Sequence, residues 1–208
     1  MNGVFVTGSN TEVGKTTVSV EIIKQLRKKR KVVVRKPVET DCELVDGSYF
    51  PKDAVKLNEA CGSGESLSQV CPYCFELEAS PEEASLDAGK SLGLEDLVYA
   101  CNDGVGENFV FVEGAGGFYS PIADKALNSD LAVQLELPVI IIVKDELGAI
   151  SQALLTIDAV LSKKLKIAFV VLNEVRENTL SNLEALRSYT DVPVLKFSIK
   201  NSELFYLE

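Results

Sequence analysis

The stretch VFVTGSNTEVGKTT, residues 4–17, decides how the rest of the chain is read. It passes from a β-branched apolar segment through a glycine-bearing loop into Gly14-Lys15-Thr16-Thr17, a string suited to a helix start. A phosphate-cradling loop reads glycine, four residues, glycine, lysine, then serine or threonine. Its backbone N–H groups wrap phosphate oxygens at the helix N-terminus. Here five residues, Ser9 to Val13, separate Gly8 from Gly14. The strand-loop-helix context still fits a cradle. In it Lys15 would neutralise the β- and γ-phosphates of a nucleoside triphosphate, and Thr16 would offer its hydroxyl to Mg²⁺. The plainer alternative is a strand-to-helix turn hinged at Gly14.

Away from this loop the chain alternates between two periodicities. Residues 3–7, 31–36 (KVVVRK), 108–114 (NFVFVEG), 138–143 (PVIIIV), 166–173 (KIAFVVLN) and 192–198 (VPVLKFS) read as strands. Residues 16–29, 52–60, 81–89, 94–102, 129–137, 149–164 and 179–189 read as helices, and 61–80 as irregular. Strands apolar on both faces that alternate with helices imply a parallel sheet covered on both sides. The expectation is one α/β domain over residues 1–208. It has a single doubly wound, mostly parallel sheet with helices on both faces, of the P-loop NTPase kind.

Composition narrows the chemistry. The 208 residues are 46% hydrophobic and 25% charged, as in an ordinary globular domain. A net charge of −10 argues against a nucleic-acid partner, which calls for a basic footprint. The basic run RKKRK (27–31) ends a helix, where cations suit the dipole. With no histidine in the chain, Ser-His and Cys-His machinery is excluded. No apolar run is long enough to span a membrane, and none follows the basic lead of a signal peptide. Five cysteines, an odd number, then point to reduced thiols in a cytoplasm.

Three motifs together, T-G-x-x-T-x-V-G-K-T (7–16), K-P-V (36–38) and E-G-A-G-G (113–117), each at a strand end, resemble the dethiobiotin synthetases. The likeness runs from Gly3 to about Asn173, and the five-residue loop spacing belongs to that family. It implies an ATP-dependent ligase that condenses a 7,8-diaminononanoate with CO₂. One amine becomes a carbamate, the carbamate attacks the γ-phosphate, and the second amine closes a ureido ring as phosphate leaves. The implied co-substrate is ATP, the metal Mg²⁺, and the assembly a homodimer.

Carried over residue by residue, the resemblance makes Lys15, Lys36 and Thr11 catalytic. It lines the nucleotide with Glu12, Val13, Gly14, Lys15, Thr16, Thr17, Asp53, Glu113, Gly114, Ala115, Gly116 and Asn173. It gives the metal to Thr16, Asp53 and Glu113, and the diamine to Thr40 and to Gly148, Ala149, Ile150 and Ser151. Those last four open a helix whose free amides would hold the substrate carboxylate from the other subunit, with Tyr189 as a further contact. Glu146 stands where the family often has a basic residue. Read from the residues alone, Lys36 is a strand-end lysine, Thr40 a loop threonine and Asp53 a first-turn helix acid. Asn173 is equally an asparagine tolerated in a tight turn.

The string CPYC (71–74) spells a dithiol motif, but no helix begins at its first cysteine. Nor is there a second paired knuckle for zinc. It aligns with a packing loop of the family, in which Tyr73 and Phe75 fill space. A partner-regulated ATPase switch of the partitioning type is the alternative on the same fold. Those proteins carry a signature lysine five residues before the loop lysine, where this chain has Asn10. A large-ring amide ligase would need a glutaminase module that does not fit in this length. After residue 198 only IKNSELFYLE remains, where the family has a base-wrapping loop and closing helix. Weak discrimination among ATP, GTP and CTP is therefore expected.

Overall fold

A computed structural model of the chain describes residues 1–198; the expectation placed on residues 199–208 lies outside them. The first half contains β1 (Gly3–Gly8), α1 (Lys15–Leu26), β2 (Val32–Arg35), β3 (Val38–Glu39), β4 (Glu43–Val45), β5 (Ser48–Phe50), α2 (Lys52–Cys61), α3 (Leu67–Val70) and β6 (Tyr73–Cys74). Then follow α4 (Pro81–Asp87), α5 (Leu94–Asn102), β7 (Phe109–Gly117), β8 (Pro121–Ala123), β9 (Ala126–Leu127) and α6 (Asn128–Leu135). β10 (Val139–Lys144), α7 (Ala149–Ser162), β11 (Ile167–Glu174), α8 (Asn182–Arg187) and β12 (Val194–Ser198) complete the order.

Six strands form one sheet in the order β12-β11-β10-β1-β7-β2, and every pairing is parallel. Successive side chains of a strand point to opposite faces, so an all-apolar strand must be covered twice. Phe5 packs with Val110, Val139, Leu97 and Leu131 on the face covered by α5 to α8. Its neighbour Val6 packs with Phe111, Ile140, Ile22 and Leu57 on the face covered by α1 and α2. Having placed β2 and β7 on one side of β1, the chain crosses to β10 on the other. The crevice at that switch point, beyond the carboxyl ends of the strands, is where ligands bind in such sheets.

The expected elements are all present, with shifted ends. Residues 61–80, expected to be irregular, hold α3, capped by Ser66, and β6, which pairs with β3. The expected loop before α2 contains the β4–β5 hairpin. Asp46 and Gly47 turn it with φ of 49° and 79°, the two left-handed residues that a tight hairpin turn requires. Helix α1 stops before residue 29, because Lys28 and Lys29 donate to Gln25 and Leu26 in tighter i−3 bonds.

Candidate functional site

The site is assembled from three strand ends and two helix starts. β1 delivers the loop, and Gly14, with φ of 80°, turns the chain into α1. A Cβ at Gly14 would run into Asn173 Nδ2. That amide donates 2.8 Å to the carbonyl of Val13, tying the loop to the end of β11.

Opposite the loop, β7 breaks register. Val6 faces Glu113 and Gly8 faces Gly117, so residues 114–116 bulge against a single residue of β1. Buried Asn128 fastens the bulge, accepting from Ala115 N–H at 3.0 Å and donating to Gly117 and Ser120 carbonyls at 3.1 and 3.2 Å. Gly114 leaves room for it, since a Cβ there would meet Asn128 Oδ1 and the Phe5 ring. Nothing local in the sequence points to Asn128, whose partners are 8 to 13 residues away.

Between loop, bulge and α2 lies a cleft of about 320 Å³. It is lined by Thr11, Glu12, Gly14, Lys15, Thr16, Thr17, Lys36, Thr40, Asp53, Ala115 and Gly116, all expected at the site. Glu39 and Lys56 line it too and were not foreseen. Glu113 lies beneath, fully buried. A larger hollow of about 820 Å³ opens at the other end of β2, among Arg27, Arg30, Cys61 and Gln69. It contains none of the expected residues.

Glu113 is the hub. Its Oε1 accepts from the Thr16 hydroxyl at 2.8 Å and from the Lys36 ammonium at 3.3 Å. Lys36 also donates to the Gly114 carbonyl at 2.9 Å. Burial works to discharge Lys36, but the Glu113, Asp53 and Glu39 carboxylates outweigh it and hold the ammonium above its usual pKa. Lys15 goes the other way. Burial, aided by the Lys36 charge, lowers it to about 8 against the pull of Glu113 and Asp53.

Glu113 Oε2 is buried with no hydrogen-bond partner among the described residues. Together with the Thr16 hydroxyl and the half-exposed Asp53 carboxylate it supplies hard oxygens that fit Mg²⁺. Among the described residues no three His, Cys, Asp or Glu side chains could hold a metal unaided.

Gly148 to Ser151 are not on this cleft within one chain. Ala149 is buried, and its amide, expected to be free, donates to the Glu146 carbonyl at 3.0 Å. Ile150 and Ser151 are left as the first-turn donors of α7. Glu146 itself is paired with Lys144 at 2.8 Å. Tyr189 is exposed. The CPYC thiols do approach each other, with Cys74 Sγ 3.7 Å from Cys71 Sγ, inside a packed segment where Phe75 is buried.

A family model described as an AAA domain matches residues 2–201. The chain is 46% identical to the ATP-dependent dethiobiotin synthetase of Ruthia magnifica subsp. Calyptogena magnifica, over 95% of this chain and 92% of that protein. It is 34% identical to the ATP-dependent dethiobiotin synthetase of Aromatoleum aromaticum, over 92% and 87%. Among solved structures it resembles a ParA family ATPase from Chlorobium tepidum, with a TM-score of 0.56, 11% identity, and 94% and 84% coverage. The septum site-determining protein MinD from Pyrococcus horikoshii, complexed with Mg-ADP, gives 0.54 and 16%, over 95% and 82%. At such identities the structural likeness shows the P-loop NTPase fold alone.

Proposed function

The chain belongs to the ATP-dependent dethiobiotin synthetase family, and from that premise we propose how its cleft makes dethiobiotin, ADP and phosphate from a diaminononanoate, CO₂ and ATP. In class it is a ligase that closes a ring through C–N bonds, acting as a homodimer in the cytoplasm. Among the described residues no helix is long and apolar enough to cross a membrane.

The observation that carries the reading is the meeting of two donors on one acid. Thr16, from the loop helix, and Lys36, from the end of β2, both donate to Glu113 Oε1. A carbamate attacking a triphosphate brings two anions together, and a fixed cation between them lowers the barrier. Lys36 is that cation, its ammonium fixed by Glu113 and the Gly114 carbonyl. Lys15 and the loop amides hold the triphosphate, and Thr11 lies at the mouth of the same cleft. Thr40, following β3, lines the same cleft and is assigned to the diamine. Thr16, Asp53 and Glu113 would hold Mg²⁺, whose charge offsets that of the triphosphate.

The substrate carboxylate is assigned to the Ile150 and Ser151 amides of the second subunit. The deciding experiment is mass-spectrometric detection of dethiobiotin from ATP, Mg²⁺, bicarbonate and the diamine. Absence of product from folded protein would refute the proposal.

A further inference from the structure

Glu39 is a buried acid in the cleft to which no step of the reaction has yet assigned a task. It ends the short strand β3, between Lys36-Pro37 and Thr40. Its carboxylate spans two backbone amides at the start of α2. Asp53 N–H donates 2.8 Å to Oε1 and Ala54 N–H donates 2.9 Å to Oε2. The N-cap of α2 is Pro51, which has no side-chain acceptor to offer. Glu39 thus supplies the cap from 14 residues upstream.

A cap alone would be a matter of stability. Here one of the two captured amides belongs to Asp53, and the capping strand leads directly into Thr40. Among the described residues the Asp53 side chain forms an ion pair with the exposed Lys56 ammonium, at 3.5 Å, and such a pair holds a carboxylate loosely. The direction of that carboxylate is therefore set by its backbone. Glu39 also occupies these two first-turn amides of α2, which are then not open to phosphate oxygens.

We propose that Glu39 is a positioning residue: it pins the first turn of α2 so that Asp53 is presented to the cation beside Thr16 and Glu113. The inference rests on the reading of Asp53 as part of the Mg²⁺ site.

The test is Mn²⁺ binding, followed by electron paramagnetic resonance, to protein saturated with a non-hydrolysable ATP analogue. Glu39→Ala is expected to weaken Mn²⁺ about tenfold, as loss of an outer-shell partner does. The Mg²⁺ needed for half-maximal turnover should rise by a similar factor. Glu39→Gln, which keeps an acceptor for one amide and sets an NH₂ group against the other, should fall between parent and Glu39→Ala. In an Asp53→Asn background, Glu39→Ala should add less than about twofold, since the group it positions is already gone.

Ser80→Ala is the control. The Ser80 hydroxyl caps α4 by accepting from Glu83 N–H at 3.3 Å, away from the cleft. It should lower Tm without moving Mn²⁺ affinity. Mn²⁺ affinity in Glu39→Ala within twofold of the parent, beside a fall in Tm like that of Ser80→Ala, would make Glu39 a cap and nothing more. Should Glu39→Ala fail to fold, Glu39→Gln carries the same comparison. Parent protein that binds Mn²⁺ and nucleotide but forms no dethiobiotin would refute the proposed reaction and still leave the Glu39 effect measurable.

Discussion

The Lys36 ammonium and the Glu113 carboxylate form a buried ion pair at 3.3 Å, with side chains 5% and 0% exposed. From sequence, Lys36→Ala is expected to abolish product and leave the fold intact. The pair changes the second half of that expectation. Removing one partner leaves the other charge buried, at a cost of about 3–5 kcal/mol. Lys36→Ala should therefore lose activity and also unfold at lower temperature. A Lys36→Met, Glu113→Gln double variant should regain most of the Tm and none of the activity. Lys36→Ala melting with the parent would contradict the pairing, and near-normal turnover would remove Lys36 from the mechanism.

Lys15 gives a pH signature. Its pKa in the folded protein is about 8, below the ordinary 10.5, with burial as the main cause and the Lys36 charge next. The unfolded chain then holds more protons than the folded one between these values. The cost of burying the charged lysine is full below about 8 and is relieved as pH rises toward 10.5. A bound triphosphate pulls the other way and recharges Lys15. Nucleotide binding at pH 8.5 should thus take up protons and weaken as pH rises further. Calorimetry in two buffers of different ionisation heat checks this, and no proton uptake in the parent would contradict it.

The alternation of apolar strands with helices, and the order of the three motifs, made the sheet and most of the cleft readable, because each motif sits where a strand must end. What stayed hidden depends on partners distant in sequence. Glu39 and Asn128 bond to backbone groups 8 to 15 residues away, and nothing local distinguishes them from other polar residues. The β4–β5 hairpin was signalled by Asp46-Gly47, a pair that favours left-handed φ, but its short strands lack a buried face to announce them. Ala149 misled because a helix start suggests free amides, whereas a turn back to the Glu146 carbonyl uses one of them.

Asn173 separates two readings. Its amide fastens the loop at Val13, while its oxygen is buried without a partner among the described residues. Asn173→Ala frees a buried carbonyl, worth about 1–3 kcal/mol. The expected outcome is a rise in KM by a common factor for ATP, GTP and CTP. A loss confined to ATP would show instead that the asparagine oxygen reads the base.

The second subunit is tested at Ser151 rather than Ala149, since the buried Ala149 cannot accept a larger side chain without disturbing the packing of α7. Exposed Ser151→Glu sets a negative charge at the helix start, against the substrate carboxylate. The diamine KM should rise about tenfold or less with the ATP KM unchanged, on the scale of about 1 kcal/mol for such a charge. A fully active protein that sediments strictly as a monomer would contradict the shared site.

The thiols should be dispensable. Cys74 is lowered by its Cys42 hydrogen bond, but the Cys71 bond and burial prevail and push it up to about 12. Cys42 is raised as well, by its bond to Cys74 and by burial. At neutral pH both are thiols and poor nucleophiles. A Cys71→Ser, Cys74→Ser variant should keep its turnover, and elemental analysis of the parent should find no zinc. Stoichiometric zinc that disappears in the variant would overturn this.

The proposed coupling of triphosphate cleavage to ring closure rests on Lys15, Thr16, Lys36 and Glu113 acting as one centre. It is tested most directly by phosphate release from ATP and Mg²⁺ with bicarbonate, measured with and without the diamine. Release should depend on the diamine and match dethiobiotin formed, mole for mole. Release at the same rate without the diamine would contradict it, and would mark the chain as a nucleotide switch built on the same fold.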